Sequence, residues 1–197
     1  MNESPIDRGT ARLQEGLFDD AVEAFTSALA ENPTDPRALQ GRAMARFQMK
    51  DWSAAEEDFS AAKKADETDP KNWSGLALTQ AMQNKVYPAL ALFEDLLIRW
   101  PDFTEARIQV GLLCLKIGAI AKGRDHLRTA LNTRPTLAQR RLIESTLKEQ
   151  EKLDANRYYR PDFERLRAQS QEPFFVKWLA GLWTRLRRSP APKDKKP

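Results

Sequence analysis

The side chains that most often perform nucleophilic or acid–base chemistry are scarce in this sequence. It contains one cysteine, Cys114, and one histidine, His126. Such a pair on neighbouring helices could act as nucleophile and base only if a third group oriented the histidine and donors held an oxyanion, and the pattern offers neither. Cys114 stands among leucines and is interpreted as a small buried hydrophobe. We predict no catalytic residues and no enzymatic activity.

Sites for metals and cofactors are not predicted either. A zinc site needs three or four protein ligands, which one histidine and one cysteine cannot supply. The eight glycines are dispersed and form no phosphate-binding loop. The acidic runs Asp19-Asp20 and Glu56-Glu57-Asp58 belong to stretches rich in charge and are interpreted as solubilising surface. We therefore expect no metal and no cofactor.

Charge is distributed unevenly along the 197 residues. Residues 1–156 contain 21 Lys/Arg and 24 Asp/Glu, a net charge of −3, whereas residues 157–197 contain 11 and 4, a net charge of +7. The single cysteine excludes an internal disulfide, and neither a secretory leader nor an apolar stretch of about 18 residues is present, so we expect a cytosolic protein. Nucleic acid is not favoured as a partner, because the first 156 residues are slightly acidic and carry no nucleic-acid motif.

Residue types recur every 34 positions, which indicates a repeat of two helices. Two columns of small residues mark where the helices of a pair can approach closely: Gly9, Ala43, Ala77 and Gly111, and then Ala21, Ala55, Ala89 and Gly123. Three columns are mainly apolar and predict the core beside these crossings: Phe18, Trp52, Val86 and Ile120; Phe25, Phe59, Phe93 and Leu127; and Ala28, Ala62, Leu96 and Ala130. Within each second helix the spacing i, i+4, i+7 places the column residues on one face.

Turn and stop signals follow the same period. One column predicts the turn within each pair and consists mostly of residues that accept a left-handed backbone: Gly16, Lys50, Asn84 and Gly118. Prolines close three of the four repeats and stop the second helix: Pro33, Pro101 and Pro135.

These columns resemble the tetratricopeptide repeat family over about residues 2–135. The resemblance implies an all-α fold, a right-handed α-solenoid of four helix pairs at about 2–35, 36–69, 70–103 and 104–135. The sequence departs from the family at one column. Members of the family often have tyrosine at this column, whereas this sequence has Arg12, Arg46, Gln80 and Cys114. Because the last repeat needs a cover with a polar outer side, we predict a capping helix at 136–156.

In that family the first helices of successive repeats line a concave groove that holds a peptide or helix of a partner. The resemblance places nine residues on this face: Gln40, Met44, Phe47, Ser74, Leu78, Ala81, Ile108, Leu112 and Leu115. This strip is apolar with polar ends, and it lacks the Lys, Arg and Asn set with which some members grip a C-terminal carboxylate. An apolar peptide or amphipathic helix is the expected ligand. The alternative that Phe47, Leu112 and Leu115 belong to the core between repeats stays open.

The residues after the repeats form a basic tail. We expect a connector with a short helix at 157–172, a basic amphipathic helix at 173–188 and a disordered Pro/Lys-rich end at 189–197. The apolar face of the amphipathic helix comprises Phe174, Phe175, Trp178, Leu179, Leu182, Trp183 and Leu186, and its basic residues are Lys177, Arg185, Arg187 and Arg188. It could fold onto its own repeats, dock on a partner protein or another copy, or lie on an anionic membrane surface.

The sequence thus predicts a non-enzymatic adaptor or scaffold that binds a peptide or helix in an apolar groove. Two alternatives depend on residues 173–188. One is a peripheral membrane-associated protein that is anchored by these residues, and the other is a self-assembling scaffold in which they occupy the groove of the next copy.

Overall fold

The computed structural model of the chain describes residues 4–157, which form α-helices connected by short turns. The helices in this range are α1 (Pro5–Glu15), α2 (Phe18–Glu31), α3 (Pro36–Gln48), α4 (Trp52–Ala65), α5 (Pro70–Met82), α6 (Val86–Arg99), α7 (Thr104–Lys116), α8 (Ile120–Asn132) and α9 (Leu137–Arg157). The first eight pack in consecutive pairs, and each pair packs on the next. The described chain is therefore an all-α solenoid of helix pairs, as predicted.

The chain divides into two compact units, residues 1–150 and residues 151–197. Of the second unit, the structure describes only residues 151–157, the C-terminal end of α9. Apart from Arg157, the expected connector at 157–172, the amphipathic helix at 173–188 and the tail at 189–197 lie outside the described residues.

Prolines and polar caps set the starts of the first helix in three repeats. The prolines lie in the first turn, where the missing N–H costs no helical hydrogen bond: Pro5, Pro36 and Pro70. The residue before each proline accepts a backbone N–H with its side-chain oxygen: Ser4, Asp35 and Asp69. The helix α7 begins differently, because Phe103 at its N-cap makes no side-chain capping hydrogen bond.

The column predicted to form the turns has the predicted left-handed backbone. Positive φ angles occur at Gly16 (79°), Lys50 (65°), Asn84 (63°) and Gly118 (82°), each between the two helices of a pair. The backbone N–H groups of the residues that follow bond back to carbonyls of the preceding helix, as Leu17 does to Arg12 and Asp51 does to Arg46. Lys50 adopts this conformation although it carries a Cβ, which costs free energy that glycine avoids.

The small columns and two of the three apolar columns form the buried core that the sequence predicted, whereas the third apolar column is only half-buried: Phe18, Trp52, Val86 and Ile120. Ala21, Ala55 and Ala89 are buried, and so is the column Phe25, Phe59, Phe93 and Leu127. In the fourth repeat two glycines allow the backbones of α7 and α8 to meet closely, because a Cβ at Gly123 would stand 2.9 Å from the carbonyl oxygen of Gly111. The Gly/Ala columns therefore mark the helix crossings within the repeats.

A second set of glycines, 34 residues apart, serves the contact between repeats. Gly41 in α3 faces the ring of Phe25 from the preceding repeat, and Gly75 in α5 faces the ring of Phe59 in the same way. At both positions a Cβ would overlap ring atoms. Each phenylalanine thus packs against the glycine of the next repeat, which is how burial of one column links neighbouring helix pairs.

A buried ion-pair cluster joins α3 to α4. Asp58 is only 4% exposed. Arg42 donates to both of its oxygens at 2.9 and 2.7 Å, and Arg46 donates to Oδ2 at 2.8 Å. Arg46 is one of the residues at which the sequence departs from the family, and its pairing with Asp58 explains why a cation is stable at this half-buried position.

The helix α9 covers the apolar end of the fourth repeat. Ile143 is fully buried among Ile108, Leu127 and Ala130, and Leu147 packs against the same cluster. This contact gives the apolar side of α7 and α8 a hydrophobic neighbour in place of water.

Candidate functional site

A pocket of about 370 Å³ lies between α3, α5 and the beginning of α7. This volume is at the lower end of the range of roughly 300–1,000 Å³ that is common for ligand pockets, so it suits one or two large side chains better than a large cofactor. It is lined by Gln40, Met44, Phe47, Phe59, Lys71, Ser74, Gly75, Leu78, Phe103 and Glu105.

Helical spacing brings the residues of two walls together. Gln40, Met44 and Phe47 stand at i, i+4 and i+7 on α3, and Lys71, Ser74 and Leu78 stand at i, i+3 and i+7 on α5. Residues at these spacings share one face of a helix. The two faces meet across the pocket because α3 and α5 are the first helices of neighbouring repeats.

Aromatic rings give the pocket its apolar base. Phe59 comes from α4 and reaches the pocket beside Gly75, where the lack of a side chain leaves room for its ring. Phe47 meets Trp52 edge to face with 4.9 Å between the ring centroids, which fixes its orientation. Phe103, from the connection before α7, completes the apolar lining.

The polar edge of the pocket is held by a hydrogen-bond network between two repeats. Gln40 Nε2 donates to Asp69 Oδ2 at 2.9 Å and to Asn72 Oδ1 at 2.7 Å. The buried Asn72 in turn donates to the carbonyls of Ala62 and Asp66 at 3.3 and 3.1 Å. Both amide hydrogens of Gln40 are therefore used inside the protein, and its amide nitrogen offers no donor to a ligand.

Charged residues stand around the mouth in one 34-residue column. Arg37 on α3, Lys71 on α5 and Glu105 on α7 are all exposed, and the last two line the pocket itself. None of the three makes an ion pair within the described part of the chain. The charge along this column thus changes from positive to negative between the third and the fourth repeat.

The structure brings five of the nine predicted groove residues together in the pocket. These are Gln40, Met44, Phe47, Ser74 and Leu78. Met44 is the most accessible of the apolar ones, with 38% of its surface exposed. Their part in binding a partner remains a proposal, which is taken up below.

The other four predicted residues lie away from the pocket lining. Ala81 packs against the hydrophobic cluster of the third repeat, which contains Trp73 and Phe93. Ile108 is only 3% exposed, and it lies with Leu112 and Leu115 in the cluster that includes Ile143 of α9. The expectation that Ile108 lines an open groove is therefore corrected, because it is buried in the core of the fourth repeat with Leu127 of α8 and Ile143 of α9. Leu112 and Leu115 contact the same core.

Five lining residues were absent from the sequence-based set: Phe59, Lys71, Gly75, Phe103 and Glu105. Phe59 was assigned to the core column, and the recurrence of glycine at positions 41 and 75 is the signal that could have shown its access to the pocket. Phe103 and Glu105 reach the site from the turn into α7. The sequence shows the column of charged residues Arg37, Lys71 and Glu105. It does not show how close this column lies to the apolar residues of the pocket.

The two most reactive side chains of the fourth repeat, Cys114 and His126, do not line this pocket. Cys114 is buried, and this burial raises the pKa of its thiol. Burial, followed by the nearby cations Lys122 and Arg107, lowers the pKa of His126. His126 Nδ1 is buried and has no hydrogen-bond partner among residues 4–157. The interpretation of Cys114 as a buried hydrophobe is confirmed.

The described range offers neither a cluster of metal ligands nor a helix suited to cross a membrane. Residues 4–157 contain no group of three or more His, Cys, Asp or Glu side chains placed to hold a metal ion. Among the helices of this range, none combines the length and the apolar character that crossing a membrane requires.

Comparison with known proteins finds one matching family model and several similar folds. The family model described as Tetratricopeptide repeat matches residues 6–70. No curated protein matches the chain.

Three solved structures illustrate the likeness of the fold. A thermophilic tetratricopeptide-repeat protein of Thermus thermophilus has a TM-score of 0.67 and 21% identity, over 83% of this chain and 94% of that one. The crystal structure of MamA has a TM-score of 0.64 and 17% identity, over 84% and 98%. The second such domain of human RPAP3, in complex with the HSP70 peptide SGPTIEEVD, has a TM-score of 0.54 and 24% identity, over 56% and 92%.

Proposed function

We propose that the chain is a helical repeat protein of the tetratricopeptide type and that it is an adaptor that binds a short peptide or helix of a partner protein. The ligand occupies the pocket between α3, α5 and the beginning of α7. The observation that carries the proposal is the apolar lining of this pocket, in which Met44 remains accessible although Phe47, Phe59 and Leu78 are packed around it.

Similar folds support a peptide as the ligand. One RPAP3 domain was solved with an HSP70 peptide, and the first such domain of Spaghetti (RPAP3), with a TM-score of 0.56 and 22% identity, was solved with the HSP90 peptide SRMEEVD. In our chain the first helices of neighbouring repeats present the accessible surface. A single large apolar side chain that leaves water for such a pocket contributes about 1.5–3 kcal/mol of binding free energy.

We propose binding rather than catalysis because the reactive side chains are placed for packing. Cys114 lies in the core with a raised thiol pKa, which disfavours the thiolate that a nucleophile needs. The pocket itself is lined by apolar residues with Gln40, Lys71, Ser74 and Glu105, and its amide donors are already bonded within the protein.

The test is to pan a library of random dodecapeptides on the full chain and to measure the affinity of selected peptides by fluorescence anisotropy. The variant Met44→Glu places a charge on the accessible part of the pocket, and we expect it to weaken binding roughly tenfold or more, which is about 1.4 kcal/mol. The matched control is Met49→Glu, because Met49 is a similarly exposed methionine that is not part of the pocket lining.

The proposal requires that Met44→Glu loses affinity while Met49→Glu binds like the unmodified chain. A panning experiment that yields no binder, or binders that tolerate both changes equally, would contradict it. Circular dichroism of both variants establishes that the helices are retained.

A further inference from the structure

The pocket carries a positive side chain on one helix and a negative side chain on another, so its charges have a direction that its apolar lining lacks. Lys71 on α5 and Glu105 on α7 both line the pocket. Arg37 extends the positive side one repeat further along α3. Within the described chain, ion pairs occupy none of these three side chains.

The interior of the pocket does not provide a second anion site. The side-chain amide of Gln40 donates both of its hydrogens, to Asp69 and to Asn72. Lys71 is the only cationic side chain among the lining residues in the described range, and it is exposed. The lining therefore offers one accessible cation beside a mainly apolar surface.

We propose that the ligand is a polar-flanked segment of a partner protein that inserts one large aliphatic or aromatic side chain into the pocket. It places an acidic side chain against Lys71 and a basic side chain against Glu105. Lys71 and Glu105 are thus the residues that determine specificity and direction, whereas Met44, Phe47 and Leu78 supply affinity. This inference rests on the proposed function and adds the chemistry and the orientation of the ligand.

The spacing along α5 sets the pattern of the ligand. Lys71 and Leu78 are seven residues apart on one helix face, which corresponds to about 10 Å at a rise of 1.5 Å per residue. A ligand helix spans this distance in about two turns, and an extended ligand spans it in about three residues. The acidic residue is therefore expected seven positions from the apolar anchor in a helical ligand, or three positions in an extended one.

The proposed ligand differs in charge from the chain's own residues 173–188. Their sequence contains Lys177, Arg185, Arg187 and Arg188 and no acidic residue. A synthetic peptide of this sequence offers apolar side chains to the pocket but no carboxylate to Lys71. We expect it to bind the full chain more weakly than an anchor peptide with the proposed acidic residue.

The test uses the peptides selected on the full chain, each synthesised in its original form and with its acidic and basic residues exchanged. The variant Lys71→Glu is suited to this purpose because position 71 lies in the first turn of α5, where an acidic residue favours the helix. We expect it to weaken the original peptide roughly three- to tenfold, as follows from replacing one exposed ion pair by a repulsion. Glu105→Lys is expected to act in the same direction.

The double variant Lys71→Glu/Glu105→Lys should reverse the peptide preference. We expect it to bind the charge-exchanged peptide more tightly than the original one. The control Lys148→Glu changes an exposed lysine of α9 that does not line the pocket, and its affinity should equal that of the unmodified chain. Binding that depends on Met44 but not on the charges at 71 and 105 would overturn the inference and leave the proposed function intact. Tighter binding of the 173–188 peptide than of the acidic peptides would also overturn the inference. Binding that ignores Met44 would overturn both proposals.

Discussion

The ring of Phe59 lies against the backbone of Gly75, so closely that a Cβ at position 75 would stand 2.6 Å from the ring's Cζ atom. This contact joins the second helix of one repeat to the first helix of the next. Gly75 and the buried Phe59 are both lining residues of the pocket. Packing and ligand access thus depend on the same missing side chain.

The first prediction concerns Gly75→Ala. In an unobstructed helix this change would stabilise the protein by about 0.5–1 kcal/mol. Here the new methyl group overlaps the Phe59 ring, so we expect a loss of about 1–3 kcal/mol in the free energy of unfolding, measured by urea denaturation.

A second substitution shows whether the loss comes from this overlap. Phe59→Leu removes part of the ring, and in its presence Gly75→Ala should be much less harmful than it is alone. Equal costs of Gly75→Ala in both backgrounds would show that the close contact does not determine stability at this position.

The second prediction concerns Asp58, whose carboxylate binds the guanidinium groups of Arg42 and Arg46. Asp58→Asn leaves two cations close together without their counter-charge. We expect the free energy of unfolding to fall by about 2–3 kcal/mol, because both arginines are largely shielded from water.

The neighbouring residue Glu57 supplies the matched control. It is exposed, and it takes part in none of the ion pairs found in residues 4–157. Glu57→Gln should therefore change stability by no more than about 0.5 kcal/mol. Urea midpoints that fall equally for both variants would contradict the role given to the Asp58 cluster.

The third prediction concerns the left-handed turn residues. Lys50 has a φ of 65°, and replacement by glycine relieves the strain of its Cβ at a smaller cost in chain entropy, for a net gain of about 0.5 kcal/mol. Gly16→Ala makes the opposite change where no atom lies within 4 Å of the new Cβ, so its expected loss of about 1 kcal/mol reports the backbone alone. Thermal denaturation should show these opposite signs, and shifts in the same direction would contradict the account of the turns.

The repeat columns made most of this fold predictable from the sequence. Gly16 and Gly118 indicated turns, and Phe25 and Phe93 indicated core, because local backbone preference and burial both act at fixed spacing. The columns could not show that Ile108 would share a core cluster with Ile143 of α9, because periodicity identifies a helix face but not the later segment that packs near it.

The pocket was predictable only in part for the same reason. Met44 and Leu78 follow from helix geometry, whereas Phe103 reaches the site from a connection outside the helical columns. The ion pairs of Arg46 depend on a residue of another helix, so its departure from the family pattern could be seen in the sequence but not explained there.

The fourth prediction uses the single histidine. Burial and the cations Lys122 and Arg107 lower the pKa of His126 below 6.5, its value in an unfolded chain. Between that value and the lower folded pKa the unfolded chain binds more protons. Stability is therefore fully present above about pH 6.5 and decreases as the pH falls through this window.

Proton NMR of the imidazole gives the folded pKa directly, since no other histidine contributes a signal. Urea denaturation at several pH values should then show a smaller loss of stability between pH 7 and pH 5.5 for His126→Gln than for the unmodified chain. A measured pKa above 6.5, or identical pH profiles for the two proteins, would contradict the environment assigned to His126.

The central claim is that a ligand occupies the pocket beside Met44, and methyl NMR tests it most directly. The sequence has four methionines, Met1, Met44, Met49 and Met82. With ¹³C-methyl methionine in the full chain, titration with a selected peptide should move the Met44 signal in a saturable manner and leave that of Met49 in place. Saturable peptide binding that leaves the Met44 signal unchanged would contradict the claim.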